Sequence, residues 1–283
     1  MPENSSCSSA SSCSKSSCEG CPSKDKAHSF RVEMNEFSDI KHVIGVVSGK
    51  GGVGKSFVTS SLAVAMAKAG FRVGILDGDI TGPSIPKMFG AHGQLLNDER
   101  GLLPYETPEG IEIVSINLLM EDEEAPVVWR GPVIAGAVKQ FWNETCWGEL
   151  DYLFVDMPPG TGDVPLTVFQ SLPIDGVIIV TSPQELVQMI VKKAYRMAEM
   201  MKIPVLGIVE NFSYLKCPEC SHEIKLFGES HIEDVAEELK VPVLAKLPLD
   251  PTFAEAADYG MFYQLENPYM DKAKEVLQEL QEK

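Results

Sequence analysis

The stretch Gly49-Lys50-Gly51-Gly52-Val53-Gly54-Lys55-Ser56 fits the spacing G-x-x-x-x-G-K-[ST] of a phosphate-binding loop, with Gly49, Gly54, Lys55 and Ser56 in the fixed places. Glycines let such a loop turn its backbone N–H groups inward as an anion nest, and the helix that follows adds the partial positive charge of its N-terminus. Lys55 is then expected to reach the β- and γ-phosphates of a bound ATP, and the Ser56 hydroxyl to ligate Mg²⁺. Three carboxylates come next. Asp77-Gly78-Asp79 closes one apolar run and Asp156 closes another, and the C-terminal ends of parallel strands are where open α/β sheets bind ligands. Asp79 is placed to orient or polarise an attacking water, and Asp77 and Asp156 to support Mg²⁺ through its water shell. Sulfur is the third chemistry. Cys217-Pro218-Glu219-Cys220 points two thiolates the same way from a tight turn and is half of a tetrahedral four-sulfur site. Spacing alone does not separate zinc from an iron–sulfur cluster. Cys7, Cys13, Cys18 and Cys21 form C-x5-C-x4-C-x2-C in a serine-rich stretch; they suit zinc, a cluster of plant-type ferredoxin spacing, or no metal at all. Cys146, between Trp142 and Trp147, reads as a buried small hydrophobe.

These groups need elements to hold them. Residues 43–47 read as a buried strand before the loop, and residues 58–69 as the helix after it, with Leu62, Ala63, Met66 and Ala67 on its apolar face. Further strands are expected over 71–76, 111–116, 152–155, 176–180, 204–209 and 243–246. Helices are expected around Ala135, Val138 and Phe141, over 183–201 and over 268–283. The arms of a hairpin around Cys217 and Cys220 fall at 214–215 and 224–227, a hairpin-like insertion lies in 91–129, and Glu121-Asp122-Glu123-Glu124 reads as a solvated acidic loop. Strands alternating with helices give an α/β fold, a mostly parallel sheet with helices on both faces. Residues 1–27 are expected to be a flexible cysteine- and serine-rich tail, and 38–283 one P-loop domain carrying the cysteine hairpin near 214–227.

A net charge of −17, from 24 basic and 41 acidic residues, argues against nonspecific nucleic-acid binding and against an anionic membrane surface. No run is long and apolar enough to span a bilayer, and no signal-peptide core is evident, so the cytoplasm is the expected compartment. Seven cysteines in a reducing compartment point to metal or cluster ligation before disulfides. One C-x2-C in the folded part leaves a four-sulfur site half made, and a symmetric homodimer supplying two plus two is the economical completion.

With Lys50 included, G-K-G-G-V-G-K-S resembles the deviant loop of the MinD/Mrp group of dimeric ATPases (SIMIBI type). D-G-D-I-T-G-P-S-I-P-K-M-F-G from Asp77, W-R-G-P from Trp129 and D-M-P-P-G-T-G-D from Asp156 are similar to segments of its Mrp/ApbC iron–sulfur cluster carriers, the segment from Asp77 matching switch I and that from Asp156 switch II. Gly78 and Thr81 stand where that family has alanine and tyrosine, and the tail cysteines depart from its N-terminal spacing. The resemblance covers the chain from about Lys41 onward. It implies that Lys50 reaches across a dimer to the partner's nucleotide, that Asn211 of V-E-N reads the adenine edge, and that the loop at residues 247–251 packs over the base. It also implies that Cys217 and Cys220 bridge a [4Fe-4S] cluster between two chains. The function implied is ATP-dependent cluster carriage to apoproteins, with ATP hydrolysis. The alternatives are a MinD/ParA-type positioning switch, which leaves Cys217 and Cys220 idle, and a zinc-stabilised dimeric NTPase.

Overall fold

A computed structural model describes residues 31–80, 82–120, 129–184 and 187–281 of the 283-residue chain. Cys7, Cys13, Cys18, Cys21, Thr81 and the acidic run 121–124 lie outside the described residues.

The central strand is β1 (Ser38–Ser48), whose β-branched second half is fully buried. Val43 and Val47 face one core and Ile44 and Val46 the other, the alternation a strand imposes when it is covered on both sides. In chain order follow α1 (Lys55–Lys68), β2 (Val73–Asp77), α2 (Ile85–Met88), the small strands β3 (Asn97–Asp98), β4 (Gly101–Leu102) and β5 (Tyr105–Glu106), and β6 (Ile111–Val114). Then come α3 (Gly131–Asn143), β7 (Gly148–Asp156), α4 (Asp163–Ser171), β8 (Gly176–Thr181), α5 (Val187–Met200), β9 (Val205–Lys216), β10 (Glu223–Ile224), α6 (Ile232–Leu239), β11 (Val243–Pro248), α7 (Pro251–Asp258) and α8 (Asp271–Gln278).

Among the described residues the main sheet has nine strands in the order β10-β9-β8-β1-β7-β2-β6-β5, with β11 also on β9. Every pairing from β6 to β11 is parallel except those of β5 and β10, which are antiparallel. β1 has β7 on one side and β8 on the other, so the chain leaves it in a crevice where the strand order reverses, the usual ligand position in such sheets. The mostly parallel, doubly covered sheet agrees with the fold expected from the sequence.

The differences are local. β1 begins at Ser38, and contacts with the body begin earlier still: Val32 N–H donates to Ser171 O and Trp142 Nε1–H to Val32 O. β9 does not stop near 209 but runs to Lys216, because parallel pairing with β8 gives way to antiparallel pairing with β10. The expected helix over 268–283 is a 3₁₀ turn at Pro268–Met270 followed by α8. Cys146 is half-buried rather than buried; on an extended segment Thr145 and Trp147 point inward, so the residue between them points out.

Candidate functional site

The phosphate end is assembled from the C-terminal ends of β1, β2 and β7. The loop after β1 closes with Gly54 at φ 82°, a left-handed position that favours glycine, and this residue caps α1. A side chain at Gly54 would stand 2.1 Å from Asn211 Nδ2, so close approach as well as backbone conformation requires glycine there. Lys55 is the first residue of α1 and 5% exposed. Its Nζ lies 2.8 Å from Asp156 Oδ1 and 3.5 Å from Asp79 Oδ2, two ion pairs at the foot of the loop. Burial draws the Lys55 pKa down, but Asp156, Asp79 and Asp77 outweigh it, and the net shift is upward.

Asp156 is fully buried and accepts from Ser56 Oγ at 2.6 Å and Thr59 Oγ1 at 2.8 Å. Asp77 pairs in register with Asp156 on the neighbouring strand, and its Oδ2 accepts from Ser115 Oγ at 2.9 Å. Burial, and then the charge of Asp156, push the Asp77 carboxyl up to about 8 against the opposing pull of Lys55. Three carboxylates around one ammonium are short of positive charge, and the Ser56 hydroxyl on the Asp156 carboxylate offers the hard oxygen atoms that suit Mg²⁺ held largely by water. A buried lysine ammonium at the start of α1, next to the glycine loop, fits a polyphosphate in the same way.

Lys50 is not in this cluster. Its Nζ donates to Gln184 Oε1, beyond β8. Asn211 is 2% exposed, donates from Nδ2 to Val53 O at 3.1 Å and accepts at Oδ1 from Phe212 N–H at 3.0 Å. It thus steadies the phosphate loop, and each end of its amide keeps one further hydrogen-bonding position. Beside it a cavity of about 540 Å³ is lined by Gly54, Phe57, Asn211, Phe212, Pro248 and Phe253 among others. Asn211 and the 247–251 loop, far apart in sequence, therefore meet at one apolar pocket next to the phosphate loop.

The thiols stand at the far end of β9. Cys217 N–H donates to His222 O and Ser221 N–H to Cys217 O, closing the turn, and Ser221 takes φ 58°. Cys220 is exposed and Cys217 half-buried. The backbone N–H groups of Cys220 and Glu219, and the Cys220 thiol, draw the Cys217 thiol below its ordinary value, which favours the ligating thiolate. His222 is exposed, and among the described residues no group of three or more His, Cys, Asp or Glu side chains is placed to hold a metal ion. Ile224, Leu226 and Phe227 lie exposed beside the turn.

Two polar residues of the phosphate end escaped the sequence reading. Thr59 had a signal: it stands one helical turn after Lys55, on the same face. Ser115 had none, since only the pairing of β2 with β6 sets it against Asp77. No helix among the described residues is long and apolar enough to cross a membrane.

The profile of the ParA family, NUBPL iron-transfer P-loop NTPase, matches residues 39–283. An iron-sulfur cluster carrier protein of Clostridium perfringens is 45% identical, the alignment covering 89% of this chain and 96% of that one. One of Saccharolobus solfataricus is 47% identical over 89% of this chain and 86% of its own. Among solved structures, a nucleotide-binding protein of Archaeoglobus fulgidus in complex with ADP superposes with a TM-score of 0.74 at 44% identity, covering 82% of this chain and 91% of that one. The cell division ATPase MinD of Pyrococcus furiosus has a TM-score of 0.60 at 19% identity over 85% and 98% of the two chains, a likeness of fold.

Proposed function

The chain belongs to the ParA family of NUBPL iron-transfer P-loop NTPases, and from that premise we propose that it is an ATP-dependent iron–sulfur cluster carrier. In this reading it binds ATP at residues 49–56, hydrolyses it, and carries a [4Fe-4S] cluster between two copies of the chain for delivery to apoproteins. Backbone N–H groups of residues 51–54 and the start of α1 cradle the phosphates. Lys55 exchanges part of its pairing with Asp156 and Asp79 for the β- and γ-phosphates. Ser56, with Asp77 and Asp156 through a water shell, would hold Mg²⁺, which supplies charge neutralisation at the transferring phosphoryl group. Asp79 orients the attacking water, and Lys50, lying outside its own chain's cluster, supplies charge to the partner's nucleotide. Asn211 and the 247–251 loop hold the purine in the apolar cavity beside the loop.

The observation that carries this reading is the presence, in one chain, of a phosphate site and an exposed two-thiol turn that is half of a four-sulfur site. The apolar rim of Ile224, Leu226 and Phe227 supports a second copy as the source of the other half. The supporting relatives are those named as cluster carriers. Iron, acid-labile sulfide and zinc measured on anaerobically purified full-length protein test it. One cluster per two chains is expected, lost in Cys217→Ala and in Cys220→Ala. Zinc without sulfide would instead make the hairpin a structural clip, and cluster retained in Cys217→Ala would move the carrier site to the tail cysteines.

A further inference from the structure

Glu210 is a carboxyl that neither the phosphate nor the thiol chemistry uses. It is 1% exposed, and its oxygens accept from Ser213 Oγ at 2.8 Å and Ser230 Oγ at 2.6 Å. A carboxyl is costly to bury unless its oxygens are hydrogen-bonded, and these two hydroxyls come from opposite legs of the cysteine hairpin. Ser213 lies on β9 as it runs out to Cys217. Ser230 lies where the chain comes back, its Oγ also accepting from Ile232 N–H at 3.2 Å at the start of α6. Glu210 therefore clasps both legs.

Just beyond Glu210, β9 is kinked. Lys246 of β11 pairs with Glu210 and Pro248 with Tyr214, so Asn211, Phe212 and Ser213 stand opposite Leu247 alone. Phe212 takes φ 60°, a left-handed conformation that a bulky residue holds only under constraint. The kink turns Asn211 onto Val53 O of the phosphate loop. Leu249 N–H donates to Tyr214 O at 2.7 Å and ties the purine-side loop to the same strand. From Asn211 the chain stays in β9 as far as Lys216, the residue before Cys217.

We propose that Glu210 is a positioning residue that couples the state of the phosphate loop to the Cys217–Cys220 turn. A loop that closes on a polyphosphate shifts the Val53 carbonyl, and Asn211 follows it. With Ser213 and Ser230 held by one buried carboxyl, the kink cannot relax locally, and the displacement passes into both legs of the hairpin. This rests on the reading of Cys217 and Cys220 as the working ligands of the carrier, and it assigns the link between nucleotide and thiols to side-chain hydrogen bonds joined by the backbone of β9, all within one chain.

Site-resolved alkylation tests it. Full-length protein as purified is pulsed with iodoacetamide without nucleotide, with Mg-ADP and with Mg-ATP, and the rates at Cys217 and Cys220 are read by peptide mass spectrometry. Wild type should show a change of about 5-fold or more between nucleotide-free and Mg-ATP states, the lower range for linked sites. Glu210→Ala and Ser230→Ala should bring that ratio close to one, with ATP turnover kept within about 2-fold. Glu210→Gln, which keeps one acceptor oxygen, should recover part of it. A merely structural role would lower turnover, thermal midpoint and ratio together. If Glu210→Ala does not fold, Ser230→Ala decides, since its hydroxyl is at a half-buried position. A wild-type ratio of one, an undiminished ratio in Ser230→Ala, or a parallel loss of turnover there overturns the proposal. Absence of iron and sulfide from native protein would sink the carrier reading alone, because the alkylation rates are read whatever metal is bound.

Discussion

Lys55 sits among more negative charge than it neutralises. Asp77, Asp79 and Asp156 share one buried ammonium, so removing it leaves buried carboxylates without their countercharge and the phosphates without their cation. Lys55→Ala should therefore lower Mg-ATP turnover on the order of 10²–10³-fold, as loss of a preorganised charge contact does, and should also destabilise the fold, breaking a buried ion pair costing about 3–5 kcal/mol. Lys50 is expected to behave differently because its Nζ is directed at Gln184 and away from that cluster. Lys50→Ala should keep ATP affinity while losing most turnover, read by equilibrium titration beside steady-state kinetics. An equal loss of affinity in the two variants would mean that Lys50 serves its own loop.

At the scale of elements, the ends of α2 and α7 meet backbone to backbone near the purine-side cavity. Gly90 and Gly260 both take positive φ, 62° and 69°, and a side chain on Gly260 would stand 2.6 Å from Gly90 Cα. Gly260→Ala should cost about 1–3 kcal/mol in denaturant unfolding and weaken ATP binding, leaving the iron content of the native protein unchanged. The strand ends that carry Asp77 and Asp156 were legible because each apolar run stops at its carboxylate. The kink of β9 was not. Nothing local marks Phe212 as left-handed; the pull of Asn211 toward Val53 and the bond from Leu249 to Tyr214 come from distant parts of the chain, and tertiary contacts override local preference there. α4, α6 and α7 also escaped the pattern reading: at nine, eight and eight residues they are shorter than the window over which helical periodicity is read, although α6 buries one face through Ile232, Val235 and Ala236.

Across the whole molecule, motif spacing carried most of the site and could not carry its depth. It singled out Lys55, Ser56, Asp77, Asp79 and Asp156, which the fold places side by side, yet gave no sign that Asn211 would brace the loop or that Glu210 would be buried behind it. Each chain carries a net charge of −17, so two copies repel at low ionic strength, and that repulsion fades once the screening length falls to about 8–10 Å. Cluster reconstitution should double the solution mass from that of the 31.0 kDa chain, and the paired form should gain population as salt rises to roughly 0.15 M. Light scattering of the full-length protein, loaded and unloaded, checks both. A loaded chain that stays single would place the cluster on one copy's cysteines.

The margins of the sheet bear on what kind of assembly is open to this chain. β5 and β10, which end the strand order, have two residues each. The longer outer strand β11 is broken by two shifts of register, carries Lys246 and Pro248, and has its Val243 carbonyl taken by Lys272 Nζ. Short, charged, proline-bearing and irregular margins are poor templates for another molecule's strand. Copies of this chain therefore cannot readily grow end to end by extending one sheet into the next. If two copies meet through their cysteine turns, as proposed above, each patch is used up by its own image in a two-fold rotation. A pair of that kind terminates itself, with no filament to follow.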